Sequence, residues 1–194
     1  MKPIRILMVC TGNICRSPVA ERLFRARVDP AALASATSAG TAGLSGRPMD
    51  PPSAQALHEL GGDPAGHASR RLTEAMVADA DLILTAELSQ RSVVLQAGPL
   101  AFRRTFTLRE FGRLGATLER AAAPVNMTEL RERVGEIAAE RGHAPPAEPG
   151  GDDIDDPYGA TIDVARLCAG EVSAAVDQLI GALGLPQRLA RLQS

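Results

Sequence analysis

The ten residues Val9-Cys10-Thr11-Gly12-Asn13-Ile14-Cys15-Arg16-Ser17-Pro18 decide how this chain reads. Just before them, Ile4 to Val9 is short, apolar apart from Arg5 and rich in branched side chains, the pattern of a buried β-strand. Just after, Ser17 is placed to cap a helix and Pro18 to open it, with the helix running to about Arg27. The turn between them holds one glycine, Gly12. A strand–turn–helix corner of this kind aims several backbone N–H groups, and the positive end of a helix dipole, at one point. That point suits an oxyanion. The corner begins with a thiol, Cys10, and ends with a guanidinium, Arg16, which together suggest covalent chemistry on phosphate.

Working outward, the first helix carries Ala20, Leu23, Phe24 and Arg27 or Val28 at helical spacing, with Glu21, Arg22 and Arg25 expected to face outward. Ala34 to Gly40 is a strand candidate, and a Gly/Pro-rich loop follows it. Helices are expected over about Ser53–Leu60, Glu74–Ala78 and Leu88–Gln96, and strands over Asp81–Thr85 and Arg104–Leu108. Residues 112–151 read as a helical and loop insertion, with one helix at Met127–Arg141 opened by Asn126 and Glu129 at capping-box spacing. A final helix over about Ile162–Leu183 places Val164, Leu167, Cys168, Val172, Ala175, Val176, Leu179, Ile180 and Leu183 on one apolar face. Strands alternating with helices predict an α/β fold, a parallel sheet covered on both faces. In such sheets ligands bind beyond the carboxyl ends of strands, where the Cys10 turn lies.

Composition narrows the function classes. With 194 residues, 45% of them hydrophobic, the chain can bury a core as a single domain. Its net charge of −2 provides no field favouring nucleic acid or membrane surfaces. Cations are one lysine, Lys2, against twenty arginines, a skew that reads as nucleotide bias. The run Ile4–Val9 is too short for a signal-peptide core, and no apolar stretch is long enough to span a bilayer. Three cysteines without a disulfide-framework pattern fit a reducing compartment, so a cytoplasmic protein is expected.

Taken alone, Cys10 is a small hydrophobe ending a buried strand. Its neighbours change that reading. Arg16 matches the equatorial oxygens of a phosphate bidentately, and amides from Thr11 to Arg16 would complete an anion cradle. The same positive potential favours a thiolate nucleophile. Ser17 is placed to donate to it, and Asn13 to hold the loop's shape. A leaving oxygen needs an acid, and the run Asp152-Asp153-Ile154-Asp155-Asp156-Pro157-Tyr158-Gly159 offers candidates. Solvated loop and metal site are the alternatives, though calcium-loop spacing with a closing Glu is missing. Asp156 stands out because Pro157 restricts the backbone beside it, so it can act as acid and then as base toward water.

On these residues the chain resembles the low-molecular-weight protein tyrosine phosphatases. The resemblance rests on Val9 to Glu21 and on Asp155-Asp156-Pro157-Tyr158-Gly159. Weaker agreement runs through Ser38-Ala39-Gly40-Thr41, Gly66-His67-Ala68-Ser69-Arg70 and Asp81-Leu82-Ile83-Leu84. It implies a four-stranded parallel sheet of flavodoxin-like type and a two-step hydrolysis of phosphotyrosine on proteins, with neither metal nor cofactor. Cys10 would become a phosphocysteine, Arg16 would hold the equatorial oxygens, and Asp156 would protonate the leaving phenolate. Thr11, Gly12, Asn13, Ile14, Cys15, Ser17 and Tyr158 fall at substrate-binding positions, and Ser38 and His67 in a supporting network. Cys15, at the family's second-cysteine position, would form a reversible disulfide with Cys10, or simply fill the loop.

Departures bear on substrate. The loop after Thr41 offers Leu44 and Met49 where many family members place an aromatic side chain, and Tyr158 is a single aromatic where many have two. A protein-arginine phosphatase on the same scaffold is the nearest rival. In that branch a Thr stands at the position of Ile14 and a Phe at that of Tyr158. Arsenate reduction needs further thiols, and no Cys lies directly after the Asp81–Thr85 strand. A phosphate-binding module without turnover is the non-enzymatic alternative, against which Cys10, Arg16 and Asp156 stand together.

Overall fold

Alternation along the first strand sorts its side chains to two sides of a sheet. Strand β1 (Ile4–Cys10) sends Ile4, Ile6 and Met8 into one apolar cluster and Leu7 and Val9 into another. The computed structural model describes residues 3–43, 45–119, 121–124, 126–145 and 147–188; Leu44 lies outside them. Around β1 the order of elements is α1 (Arg16–Arg27), β2 (Ala34–Gly40), α2 (Pro51–Glu59), α3 (Glu74–Asp79), β3 (Leu82–Thr85), α4 (Leu88–Ala97), β4 (Thr105–Thr107), α5 (Leu108–Gly115), α6 (Met127–Ala139) and α7 (Ile162–Ala182). The four strands form one parallel sheet in the order β2-β1-β3-β4.

This is the expected α/β architecture. The larger cluster packs α1, α2, α5, α6 and α7 on one face, and the smaller one packs α3 and α4 on the other. The chain leaves β1 toward β2 on one side, then crosses to β3 on the other. The strand order therefore reverses at β1, and Cys10 sits at that strand's carboxyl end. Among the described residues, no helix is long and apolar enough to cross a membrane.

Several local expectations are corrected. Helix α1 already includes Arg16, its N-cap is Cys15, and no side chain caps it, so Ser17 lies inside the first turn. Glu21, expected outside, is buried and accepts from Ser38 Oγ (2.6 Å) and Arg25 Nη1 (2.9 Å). On α7, Val164 and Leu167 are exposed, at 43% and 71%, while the rest of the expected stripe is buried. The proposed insertion starts inside a helix the sequence reading did not find. Helix α5 is opened by a Thr107–Glu110 capping box: Thr107 Oγ1 accepts from Glu110 N (3.1 Å), and Glu110 Oε2 from Thr107 N (3.1 Å).

Gly112 and Gly115 argue against a helix by propensity, yet they are why α5 can lie so close to α7. A Cβ built on Gly115 would stand 2.5 Å from Ala182 Cβ. Beyond α6, Arg141 locks this segment to the sheet edge. Its guanidinium stacks 3.8 Å from the Phe106 ring centroid and its Nε donates to Glu110 Oε1 at 2.8 Å. Because Ala182 has no rotamer to escape into, Gly115→Ala is expected to lose about 1–3 kcal/mol in urea denaturation. The same change at Gly135 on α6, where nothing lies within 4 Å of the added carbon, should leave stability unchanged or raise it by up to about 1 kcal/mol.

Candidate active site

The turn after β1 is shaped by Asn13, a buried residue in the left-handed region at φ 53°. Its backbone N–H donates to Cys10 Sγ at 3.2 Å. Its carbonyl accepts from His67 Nε2 at 2.7 Å, which fixes the proton on that nitrogen. Its side-chain Oδ1 accepts from Arg70 N (2.9 Å), so Nδ2 must be the end that donates to Ser17 Oγ (3.0 Å) and Ser38 Oγ (2.8 Å). Strand β2 reaches this turn because Gly40 has no side chain: a Cβ there would meet Thr11 O at 2.7 Å and Asn13 N at 2.9 Å.

Donor counting gives the network a direction. Glu21 accepts the Ser38 hydroxyl proton, so Ser38 accepts from Asn13. Ser17 likewise accepts from Asn13 and keeps one hydrogen of its own. Cys10 Sγ lies 3.0 Å from that hydroxyl, against 3.4 Å for the Ala39 carbonyl. Two donors, Asn13 N–H and Ser17 O–H, are thus arranged around one buried sulfur.

Arg16 is only 2% exposed and is held on two sides. Its Nη1 donates to Glu87, in a very close ion pair, and to the Ile154 carbonyl at 2.8 Å. Its Nη2 pairs with Asp156 Oδ2 at 2.9 Å. Its Nε is buried and has no partner. Burial works against the charge, but the Glu87 hydrogen bond and the charges on Cys10, Asp156 and Glu87 outweigh it and hold the guanidinium above its ordinary pKa.

The four aspartates of the acidic run differ in their partners. Asp152 pairs with Arg113 (2.8 Å), and Asp153 Oδ1 accepts from Leu88 N (2.8 Å). Asp155 is exposed without a partner among the described residues, and Asp156 takes Arg16. Pro157 bends the chain so that Tyr158 N donates back to Asp156 Oδ1 at 3.3 Å.

Cys10, Thr11, Gly12, Ile14, Cys15, Met49, Asp156 and Tyr158 line a cleft of about 590 Å³. Asn13, Ser17, Ser38 and His67 form the layer behind it. Sequence reasoning missed Glu87 and Gln90. Gln90 is buried, donates to Thr11 Oγ1 at 3.1 Å and accepts from Glu87 N at 3.1 Å. Their three-residue spacing is a capping-box signal at the start of α4, the one hint the sequence carried.

Residues 5–117 match the family model described as low molecular weight phosphotyrosine protein phosphatase. The chain belongs to that family. It is 37% identical over 186 residues to a low molecular weight protein-tyrosine-phosphatase of Streptomyces coelicolor, across 92% of this chain and 93% of that one. A probable low molecular weight protein-tyrosine-phosphatase of Ralstonia nicotianae, EpsP, is 38% identical over 105 residues, 54% of this chain and 70% of that one. In three dimensions the YwlE arginine phosphatase from Geobacillus stearothermophilus superposes with a TM-score of 0.67 at 27% identity, covering 91% of this chain and 90% of its own. The Erwinia amylovora tyrosine phosphatase AmsI gives 0.67 at 25% identity, covering 92% and 91%. The family is one of hydrolases acting on phosphoproteins.

Two further thiols in this phosphatase have pKa values set by burial. Desolvation pushes both Cys15 and Cys168 up to about 12; for Cys15 it outweighs the hydrogen bond to Ser53, and for Cys168 the charge of Arg16. Their folded pKa values lie above the unfolded ones, so the stabilising contribution is complete below about pH 8.5 and is lost as pH rises toward 12. Urea midpoints should therefore fall between pH 9 and 11, and Cys15→Ala should flatten the fall relative to wild type.

Proposed function

We propose that this phosphatase hydrolyses phosphotyrosine on proteins through a phosphocysteine formed at Cys10. The observation that carries the reading is the pairing of a buried sulfur facing two donors with a buried guanidinium whose Nε–H has no partner. A phosphate oxygen would satisfy that Nε–H, and another would take Nη2 from Asp156. The uncapped N-terminus of α1 supplies further free N–H donors and a favourable dipole.

In the first step the Cys10 thiolate attacks phosphorus, the ester P–O bond breaks, and Asp156 gives its proton to the departing phenolate. A bound phosphate would take Arg16 from Asp156 and leave that carboxyl free to face the leaving oxygen. In the second step Asp156 takes a proton from water, the water oxygen attacks phosphorus, the P–S bond breaks, and phosphate leaves. Arg16 and the loop amides hold the equatorial oxygens throughout, and Glu87 with the Ile154 carbonyl keeps the guanidinium in place. Asp156 rather than Asp155 is assigned the proton because it alone of the two faces Arg16 and the cleft.

Ile14, Met49 and Tyr158 supply apolar walls for a phenyl ring. The second reading, an arginine phosphatase, is favoured by the likeness to YwlE. A tyrosine phosphatase superposes equally well, so the choice rests on the side chains. Ile14 fills the cleft wall and carries no hydroxyl to position a phosphoguanidinium. One phosphatase domain over residues 1–194, with 112–151 inserted, is part of this proposal, as is a cytoplasmic setting suited to three free thiols.

Turnover of phosphotyrosine, phosphoarginine and phosphoserine peptides, measured side by side, tests the substrate: phosphotyrosine should lead, and a phosphoarginine preference would replace the main reading with the second. Cys10→Ser should abolish p-nitrophenyl phosphate turnover. Asp156→Ala should slow a poor leaving group by roughly 10²-fold or more, whereas a larger loss from Asp155→Ala would transfer the acid to that residue.

A further inference from the structure

Arginine side chains are generally engaged in this molecule, and Arg47 at the active-site cleft is an exception. Its side chain lines the cleft, is exposed, and makes no hydrogen bond or ion pair with any described residue. The backbone beneath it is fixed. Gly46 N donates to Ser69 O (2.7 Å), Arg47 N to Ser69 Oγ (3.0 Å), Ser69 N to Arg47 O (2.8 Å), and Asp50 N to Ile14 O in the phosphate loop (2.9 Å). The nearby carboxylate of Asp50 accepts from Ser53 Oγ at 3.2 Å and does not pair with Arg47. An unpaired cation is therefore mounted on a hydrogen-bonded lip, tied directly to the loop that holds the sulfur.

That cation is surplus to the phosphate chemistry, since Arg16 already supplies the buried guanidinium. A phosphotyrosine seated over Cys10 would bring the residues beside it in the peptide to the cleft rim. We propose that Arg47 is a specificity residue that selects substrates with Asp or Glu adjacent to the phosphotyrosine. This rests on the phosphotyrosine reading of the site. A solvent-exposed pair of this kind contributes modestly to binding and is screened by salt. It acts on ground and transition states alike, so it changes KM more than kcat.

The test uses the full chain and two phosphotyrosine peptides identical except for Glu or Lys on both sides of the phosphotyrosine. Wild type should favour the Glu peptide by about 3- to 10-fold in kcat/KM at low salt, mostly through KM, and the preference should shrink toward unity by about 0.5 M NaCl. Arg47→Lys should keep the preference and Arg47→Glu should invert it. Because each protein is judged by its own ratio of two peptides, a general loss of activity does not mimic the effect. Equal kcat/KM for the two peptides, or an unchanged ratio in Arg47→Glu, overturns the proposal while p-nitrophenyl phosphate turnover by wild type keeps the phosphatase reading. Absence of that turnover overturns both.

Discussion

Everything at the centre of this molecule depends on one asparagine in an uncomfortable backbone conformation. A non-glycine residue in the left-handed region carries a cost of about 1–2 kcal/mol, least for Asn and Asp. Asn13 offsets it by using every polar group it has: N–H to the Cys10 sulfur, C=O to His67, Oδ1 to Arg70 N, and both Nδ2 hydrogens to Ser17 and Ser38. Glycine would reach the conformation more cheaply and lose the side-chain bonds. Aspartate would keep the acceptor and lose both donors, leaving two buried hydroxyls facing a carboxylate. The residue that fits must turn left and donate twice, and Asn does both.

The consequence spreads outward along real bonds. With Asn13 oriented, Ser38 can only accept from it and donate to Glu21, and Ser17 retains its hydrogen for the sulfur. Glu21 belongs to this chain of donors and is therefore buried on a helix face that simple periodicity places outside. Gly40 ends β2 for the same reason: only a bare Cα lets the neighbouring strand approach the turn closely enough for Ser38 to join. The site is thus a property of β1, α1 and β2 together, not of the loop alone.

This explains which parts were legible in the sequence. The corner, the sheet and the contrast between Asp155 and Asp156 were readable because local chemistry determines them: branched alternation, an anion-cradling turn, a proline beside one carboxylate. Helix α5 was not, because two glycines that lower helix propensity are there to admit Ala182 and the Gln178 side chain from α7, a partner far along the chain. Glu87 reaches Arg16 across 71 residues, and no periodicity encodes such a pair. Ser17 at a helix start reads as a cap by local rules, but a tertiary bond to the sulfur claims its hydroxyl. Val164 and Leu167 lie off the face of α7 that packs inward, which Ala165, Cys168 and Ala169 supply at that end, so an apolar side chain there does not mean a buried one.

Charge balance then links this scaffold to the chemistry. A guanidinium buried to 2% exposure needs compensation, and Arg16 has two carboxylates of different standing. Glu87 sits at the start of α4, tied by its own backbone to Gln90 and through Gln90 to Thr11, so its position is set by the fold. Asp156 lies on an exposed turn and is 45% exposed, so water or an incoming anion can replace it at modest cost. The resting site is therefore neutralised by one fixed partner and one exchangeable one. On the proposed mechanism an arriving phosphate exchanges with the second, and the displaced carboxyl is left at the cleft mouth, facing the leaving group. In the proposed reaction the counter-ion of the empty site and the proton donor of the occupied site are then the same residue.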